Sequence, residues 1–525
     1  LHMLLGFTKA QDSQENRFAP SALLTNAQMG QADRRTIDAG TDGFSLMLSA
    51  GQAVANCVCE HYPDHKVIIL CGPGNNGGDG YVAGAFLEEA GKDVALFSSA
   101  PARKLKGDAK KASHHFKGKI YKISHFMKEF QETVQSGETA TLDGYVVVDA
   151  LYGTGFRGEL DKDITALFDI IRQLKVPVVA VDVPSGIHGT SGAVAAGTLE
   201  AAHTVTFFRK KLGHCLMPAM AYCGAIHVHD IGIDTTLLSD ADFAAHENIQ
   251  TLWIDQLPDP DKGAHKYKRG HIAMLGGTQM TGAIRMAAQS SMRIGAGMCT
   301  IHARKESEQA YTEDVPHLIF EELPQEADFV THVSTEKKTV LLLGPGLGRE
   351  DDAAMQKIVL DVLALHKPTV LDADALSCFE DAPETLHAAL HDLCVITPHE
   401  GEFKRIFPAI DGDLSKYDKA VAAAALSKAV LLYKGPDTII VQGDEKPVLH
   451  THASSWLATA GAGDVLAGMI AGLLGQGLSP RIAACMAAWI HGEASLRFGA
   501  GLTAPDIIAQ IPSVLRDLHQ SKRYY

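Results

Sequence analysis

Thr459-Ala-Gly-Ala-Gly-Asp-Val-Leu-Ala-Gly468 carries the densest chemical signal in the chain. Gly461 and Gly463 allow close backbone approach, and the helix predicted to follow points its N-terminus at an anion. Asp464 falls in that first turn. It can serve as a plain helix-start carboxylate. Yet a carboxylate inside an anion hole otherwise repels phosphate, and it makes sense there as the base for a hydroxyl about to accept a phosphoryl group. Other predicted strand ends suit the same site. Lys434-Gly-Pro-Asp-Thr438 offers a basic residue and a tight turn for nucleotide phosphates, and Gly344-Pro-Gly-Leu-Gly348 offers three glycines. Leu371-Asp-Ala-Asp374 and Thr397-Pro-His-Glu400 add carboxylates and an imidazole. Each alone reads as a turn, and His399 alone as a packed loop histidine; together they line one rim.

The first half carries a second set. Lys66–Leu70 runs into Cys71-Gly-Pro-Gly-Asn-Asn-Gly-Gly-Asp-Gly80, where Gly72, Gly74 and Gly77 satisfy G-x-G-x-x-G between a strand and a helix. The next strand ends in Ser98-Ser99, with no acid placed to hold a ribose, so an ordinary dinucleotide redox site is not expected. Val146-Val-Val-Asp149 leads into a glycine-rich turn to Gly158, and Val178-Val-Ala-Val-Asp182 into Val-Pro-Ser-Gly186. In a parallel sheet, ligands gather beyond the carboxyl ends of strands, so Asn76, Asp149 and Asp182 should converge on one crevice. One strand-end Asp reads equally well as a helix cap; three such turns do not.

The elements that must position these residues are legible as apolar runs. Lys66–Leu70, Val94–Phe97, Tyr145–Val148, Val176–Val181, Thr204–Phe207 and Ala225–Val228 predict strands buried on both faces. Their alternation with longer mixed segments predicts a doubly wound sheet. Leu24 to about Glu60 reads as two helices broken at Gly40–Gly43. A second series comprises His271–Leu275, Met298–His302, Val340–Leu343, Thr369–Asp372, Leu393–Thr397, Ala429–Lys434 and Thr438–Gln442, followed by an Ala/Gly-rich helical stretch from Ala458. The expected fold class is α/β, with two three-layer α/β/α domains. The expected organisation is a tail over 1–22, domains over 23–238 and 263–520, and a polar linker over 239–262 holding Pro258 and Pro260. Leu1 and His2 ahead of Met3 read as a cloning remainder.

Bulk composition narrows the function classes. A chain of 525 residues exceeds one core and suggests several domains. A net charge of −15 argues against nucleic acid as a partner, and the 12 Tyr, 3 Trp and 19 Phe show no interleaving with basic residues for base stacking. The basic run from Arg103 to Lys122 reads as a solvated helix face. Nine scattered cysteines read as thiols, and no apolar stretch reaches the ~18 residues a membrane span needs. With no leader pattern at the start, a cytoplasmic location is expected, with no membrane partner. His227 and His229 share one strand face, but no third ligand presents itself, so they read as solvated. A homo-oligomer is the expected assembly.

The first-half motifs, in order NNGGDG, VDALYGTGFRG, VDVPSGI and Thr206-Phe-Phe-Arg-Lys-Lys-Leu-Gly213, resemble the NAD(P)H-hydrate epimerase domain, as do the lead-in Leu24–Met29 and Asp33. The resemblance implies a Rossmann-like fold whose Asn75, Asn76, Gly77, Gly78 and Asp79, with Gly153, Thr154, Gly155, Phe156, Arg157, Gly158 and Glu159, bind the hydrated dinucleotide. It further implies potassium on Asn76, Asp149 and Ser185, and Asp182 at the reacting ring. The substrate's hydroxyl sits on C6 beside the ring nitrogen; an acid can protonate it as nitrogen expels it, and water returns to the other face. Asp182 is the expected acid/base.

The second half resembles the ribokinase-like superfamily, and within it the NAD(P)H-hydrate dehydratases, through KRGHIAMLGG, GPGLG, LDADAL, ITPHEGEF and LATAGAGDVLAG. This implies that Ala283, Gly346, His399 and Asp464 contact the substrate, and that Lys434, Gly435, Pro436, Asp437, Thr438 and Gly463 hold ADP or AMP. Ala462 stands where family members often carry Ser or Thr. The implied chemistry is phosphorylation of the C6 hydroxyl, with Asp464 as base, then loss of phosphate to restore the ring. Mg2+ is expected. ADP is the donor the resemblance favours; the residues do not separate it from ATP. Two alternatives remain at this stage. One is a vitamin-precursor or sugar kinase with an accessory N-terminal domain. The other is a first half reduced to partner binding, against which the intact Asn76, Asp149, Asp182 and Ser185 set speaks.

Overall fold

Val67–Leu70, Val146–Val148 and Val178–Val181 are buried on both faces, which is why these strands read as unbroken apolar runs instead of alternating ones. The computed structural model describes residues 19–128, 144–260, 262–336, 339–410 and 412–522. Most of the expected tail lies outside them; Ala19–Ser21 forms a single helical turn. The chain divides into two units between Ala245 and His246.

In the first unit two helices lead in, α1 (Asn26–Asp38) and α2 (Gly43–His61), split at the expected glycine break. Thr25 opens α1 with a capping box: its hydroxyl accepts from Gln28 N at 3.2 Å, and Gln28 Oε1 accepts from Thr25 N at 2.9 Å. The strands are β1 (Lys66–Cys71), β2 (Val94–Ser98), β3 (Ile120–Lys122), β4 (Tyr145–Ala150), β5 (Val178–Val181), β6 (His203–Phe207) and β7 (Ala225–His229). They pair in parallel in the order β3-β2-β1-β4-β5-β6-β7. The order reverses between β1 and β4, so the crevice opens beyond their carboxyl ends, where the glycine turns lie. Helix α3 (Asn75–Glu89) starts in that crevice, and α4 (Gly107–His115) and α5 (Lys162–Gln173) follow it in the chain.

The second unit is built on a sheet ordered β8-β17-β16-β15-β14-β13-β12-β9-β10-β11. Its strands are β8 (Ala245–Glu247), β9 (His271–Leu275), β10 (Met298–Ala303), β11 (Ile319–Glu322), β12 (Thr339–Leu343), β13 (Thr369–Leu371), β14 (Cys394–Ile396), β15 (Val430–Tyr433), β16 (Thr438–Val441) and β17 (Val448–His450). Pairing is parallel from β11 through to β15, and β16 runs antiparallel to both neighbours. Here the order reverses between β9 and β12. Helices α6 (Thr281–Arg293), α8 (Ala462–Gly475), α9 (Pro480–Phe498) and α10 (Ala504–Ser521) share one apolar core with the sheet. Among the described residues no helix is long and apolar enough to cross a membrane.

The linker expected over 239–262 needs correction. His246 and Glu247 of β8 pair with Val448 and Leu449 of β17, and Trp253, Ile254 and Leu257 are each at most 2% exposed in the second core. Trp253 Nε1 donates to Asn248 Oδ1 at 3.1 Å, and Asn248 Nδ2 to the Cys485 carbonyl at 2.8 Å. These residues lie in short 3-10 turns, so their apolar side chains follow neither the helical nor the strand period.

Candidate active sites

In the first unit β5 ends at Val181 and the chain turns sharply at Asp182, whose φ of +66° is rare for a residue with a Cβ. The turn is fixed from both sides: Asp182 N donates to the Val205 carbonyl at 2.7 Å, and its own carbonyl meets His214 Nε2 at 2.9 Å. The carboxylate is thereby aimed at Lys211. That lysine is 1% exposed; its Nζ donates to Asp182 Oδ1 at 2.6 Å and to Thr206 Oγ1 at 2.8 Å. Thr206 Oγ1 donates to the same Asp182 oxygen at 3.1 Å, and Thr154 N to Oδ2 at 3.2 Å. Burial pushes the Asp182 carboxyl up, but the Lys211 charge and hydrogen bond outweigh it and hold the group below its ordinary 3.8.

Two neighbours go the other way. Burial, opposed by Lys211 and reinforced by Asp182, raises Asp33 on α1 to about 6. Burial, with repulsion from Asp182 and Asp33, lifts Asp79 on α3 well above 3.8. The crevice therefore holds one carboxyl depressed below its ordinary range beside two raised above it.

The expected residues gather around it. Asn76 and Asp182 meet across Gly153, where a Cβ would stand 2.7 Å from Asn76 Oδ1 and 3.2 Å from Asp182 Oδ2. At Gly72 a Cβ would lie 1.8 Å from the Leu151 carbonyl, so the turn after β1 touches the turn after β4 only because it is glycine. Gly77 and Gly78 are buried and Asn75 is exposed at the start of α3. Gly155 and Arg157 are exposed, and the Arg157 guanidinium bonds the Thr154 and Phe156 carbonyls at 3.1 and 2.7 Å. Phe156, Gly158 and Glu159 line a cleft of about 450 Å³ with Gly186, His188 and Ser191.

Asp149 is fully buried. Its oxygens accept from Ser185 N at 2.9 Å, Ser185 Oγ at 2.6 Å and Leu151 N at 3.2 Å. All three donors are neutral, and among the described residues no cationic side chain pairs with it. Asn76 leaves Nδ2 buried and unpartnered. A carboxylate withdrawn from water with neutral donors alone fits a monovalent cation set among oxygen ligands.

In the second unit Gly461, at φ +88°, turns the chain into α8 and puts Asp464 in the helix's first turn. Burial raises Asp464 to about 7, with Asp372 adding to the rise and Lys434 opposing it. Lys434, the residue after β15, sends its Nζ to Asp372 Oδ1 at 2.7 Å, and Glu402 Oε2 lies 3.7 Å away. A Cβ at Gly463 would be 3.5 Å from that ammonium. Burial works against the lysine's charge, but Asp372 and Glu402 hold it above its ordinary value. Thr397 Oγ1 donates to Asp372 Oδ1 at 2.8 Å, and Gly348 N to Asp374 Oδ2 at 2.9 Å. Asp372, Asp374, Glu402 and Asp464 around Lys434 leave an excess of negative charge, which fits a divalent cation arriving with a nucleotide.

Gly346, at φ +67°, brings the glycine turn after β12 against α6. A Cβ there would meet the Met280 carbonyl at 2.4 Å and the Ala283 Cβ at 3.2 Å. His399 caps the helix α7 (Glu400–Ile406): its Nδ1 accepts from Gly401 N and Glu402 N at 2.9 and 3.2 Å, and Nε2 of the exposed ring lies 3.4 Å from Glu402 Oε1. The Lys434–Thr438 turn is split. Lys434 reaches toward Asp464's pocket, whereas the carboxylate of Asp437 accepts from Lys416 Nζ at 2.6 Å and locks the turn. Thr438 Oγ1 donates to the Gly435 carbonyl at 2.8 Å, and Gly435 and Pro436 are exposed.

Sequence reasoning did not assign Lys211, His214, Lys416 or Glu402 a role. Lys211 lies in the FFRKKLG run, and its burial at a strand end was the missing signal. Lys416 gives none, because it sits 21 residues before Asp437 on a helix with no motif.

A Rossmann-ordered unit with a buried Asp–Lys pair, joined in one chain to a unit with a glycine-Asp helix start, defines a fusion of two small-molecule enzyme domains. Family profiles divide the chain the same way: one described as YjeF-related protein N-terminus matches residues 43–213, and one described as NAD(P)H-hydrate dehydratase matches residues 272–512. A bifunctional NAD(P)H-hydrate repair enzyme Nnr from Moorella thermoacetica is 33% identical over 521 residues, 95% of this chain and 97% of its own length. The Coxiella burnetii enzyme of the same description is 31% identical over 94% of this chain and 99% of its own. A Bacillus subtilis ADP/ATP-dependent NAD(P)H-hydrate dehydratase, co-crystallized with ATP/Mg2+, aligns at 25% identity and a TM-score of 0.43 over 50% of this chain and 96% of its own. The chain belongs to the family of bifunctional NAD(P)H-hydrate repair enzymes.

Proposed function

We propose that the first unit interconverts the R and S forms of NADH and NADPH hydrate, and that the second dehydrates the S form with ADP, releasing AMP and phosphate. The observation that carries this reading is the pairing of Asp182 with the buried Lys211 in one crevice and the placing of Asp464 at the start of α8 near Lys434 in the other. Where neighbouring groups have their pKa values driven apart, acid and base are marked.

In the first crevice Lys211 holds the Asp182 carboxyl below its ordinary value, so Asp182 enters the reaction as a carboxylate that takes a proton from water on its face of the ring and, in the reverse direction, returns it to the hydroxyl on that face. It faces the reacting ring as a carboxylate, stabilising the cation that develops when hydroxide leaves C6 and drawing the proton from the returning water. Asp79, whose carboxyl burial pushes up, supplies the proton to the leaving hydroxyl on the other face and takes one back from water when the reaction runs in reverse. Thr154 N and Lys211 hold the Asp182 carboxylate in one orientation. Potassium, when bound by Asn76, Asp149 and Ser185, offsets the Asp149 charge beneath the loops.

In the second crevice Asp464 takes the proton of the C6 hydroxyl as that oxygen attacks the terminal phosphoryl group of the nucleotide. The start of α8, with Gly463 and the Lys434 ammonium, receives the charge on that phosphoryl group. When bound, Mg2+ would supply further neutralisation there, and Asp372 and Glu402 are the carboxylates that would hold it. Phosphate then leaves C6 far more readily than hydroxide, C5 gives up a proton to solvent, and the double bond of the dihydropyridine is restored. Ala283, Gly346 and His399 border the ring's side of the pocket; Gly435, Pro436, Asp437 and Thr438 form the nucleotide's side.

An isomer-resolved assay on both hydrate epimers, with and without ADP and Mg2+, tests the reading. The expected result is R/S interconversion without nucleotide, and loss of the S form with AMP production when ADP is present. A stable phosphoester product would instead establish the kinase alternative.

A further inference from the structure

The helix α2 ends with Cys57 and His61, four residues apart and so on one helical face. That face lies against the amino-terminal end of β6 and against β7, where His203 and His227 stand on neighbouring strands. One ligand atom from each of Cys57, His61, His203 and His227 lies within 4.8 Å of all the others. His203 Nδ1 and His227 Nε2 are 2.9 Å apart, and the His61 ring stacks on His203 at 4.2 Å. The solvated pair expected at His227 and His229 is thus replaced: β7 is an edge strand, but His227 turns toward three further donors.

We propose that Cys57, His61, His203 and His227 form a binding site for a borderline-soft divalent metal ion of the Zn2+ class. Three imidazole nitrogens and one thiol sulfur make a four-donor set, the kind that suits tetrahedral zinc. The three imidazoles and the thiol converge on one small volume, so a single ion can reach a donor atom from each. Glu60, facing the same cluster, supplies a carboxylate that offsets the ion's charge. On binding, the Cys57 S–H bond breaks, a sulfur–metal bond forms and one proton passes to solvent. The proton shared between His203 and His227 moves to the ring nitrogen left uncoordinated.

The site is separate from the catalytic crevice. His203 opens β6, while Lys211 follows its other end, about 13 Å away along a strand that rises ~3.3 Å per residue. Its effect is therefore structural: it ties the end of α2 to the edge of the sheet.

Metal-free full-length chain titrated with Co2+ gives the test. The expected result is a near-ultraviolet thiolate-to-cobalt band with tetrahedral visible bands, saturating at one equivalent, reversed by Zn2+, with Tm raised by Zn2+. Cys57→Ala should abolish the thiolate band, and His227→Gln should weaken binding about a hundredfold, since losing even an outer-shell partner costs ~10–100-fold. R/S interconversion should persist in His227→Gln. Absence of a thiolate band, or a band unchanged in Cys57→Ala, overturns the proposal; so does octahedral cobalt with affinity unchanged in His227→Gln.

Discussion

Lys211 is nearly sealed from water and its charge is matched by Asp182. Removing one member of such a pair leaves the other buried and unpaired, so Lys211→Met should cost about 3–5 kcal/mol, read as a lower urea midpoint. Because pairing depresses Asp182, this contribution is complete above the ordinary carboxylate range. It is lost only as pH falls below that range through the folded value. Asp464 behaves oppositely. Its carboxyl titrates at about 7, and only its ionised form is a base, so the dehydration rate should fall as pH drops through that value. A pH profile of NADH recovery with saturating ADP checks this; a flat rate from pH 8 to about 5.5 would reject Asp464 as the base. Asp464→Asn should slow dehydration ~10²–10⁴-fold and leave R/S interconversion intact. The aspartates themselves were legible in the sequence, because Asp182 ends an apolar run and Asp464 follows a glycine turn into a helix. Their protonation states were not, since these depend on Lys211, Asp79, Glu402 and Asp372, which come from distant segments.

Among the elements, strands buried on both faces could be read directly, and His271–Leu275 coincides with its strand end to end. Those that escaped notice are short or lie at sheet edges. Ile120–Lys122 and Ile319–Glu322 are half-exposed, so nothing in them forms an apolar run, and Val448–His450 has three residues. Ala245–Glu247 carries two polar residues and pairs through its backbone. Helix α8 illustrates what its Ala/Gly richness is for. At Gly468 a Cβ would lie 2.1 Å from the Ala287 carbonyl and 2.3 Å from Ser290 Oγ, so α6 and α8 pack with their backbones almost touching. Ser290 Oγ also donates to the Val465 carbonyl at 2.9 Å across the contact. Gly468→Ala should therefore destabilise the second unit by ~1–3 kcal/mol through overpacking, measured by denaturant unfolding. It should also lower the dehydration rate, because α8 carries Asp464 at its start.

For the molecule as a whole, each crevice is complete within its own unit: every side chain assigned to R/S interconversion precedes the division at Ala245, and every one assigned to dehydration follows it. Mixing Asp182→Asn chains with Asp464→Asn chains should then restore full clearance of an R/S mixture, followed as NADH absorbance. Failure of the mixture to clear the R form would mean that substrate passes between crevices of one chain without entering solution. The opposed carboxyl settings reach further than either reaction alone. The Asp182 carboxyl sits below its ordinary range and stays ionised in mild acid, whereas Asp464 loses its basicity near neutrality. In an acidifying compartment the two halves would fall out of step, with damaged cofactor still shuttling between its two C6 epimers while its removal stalls.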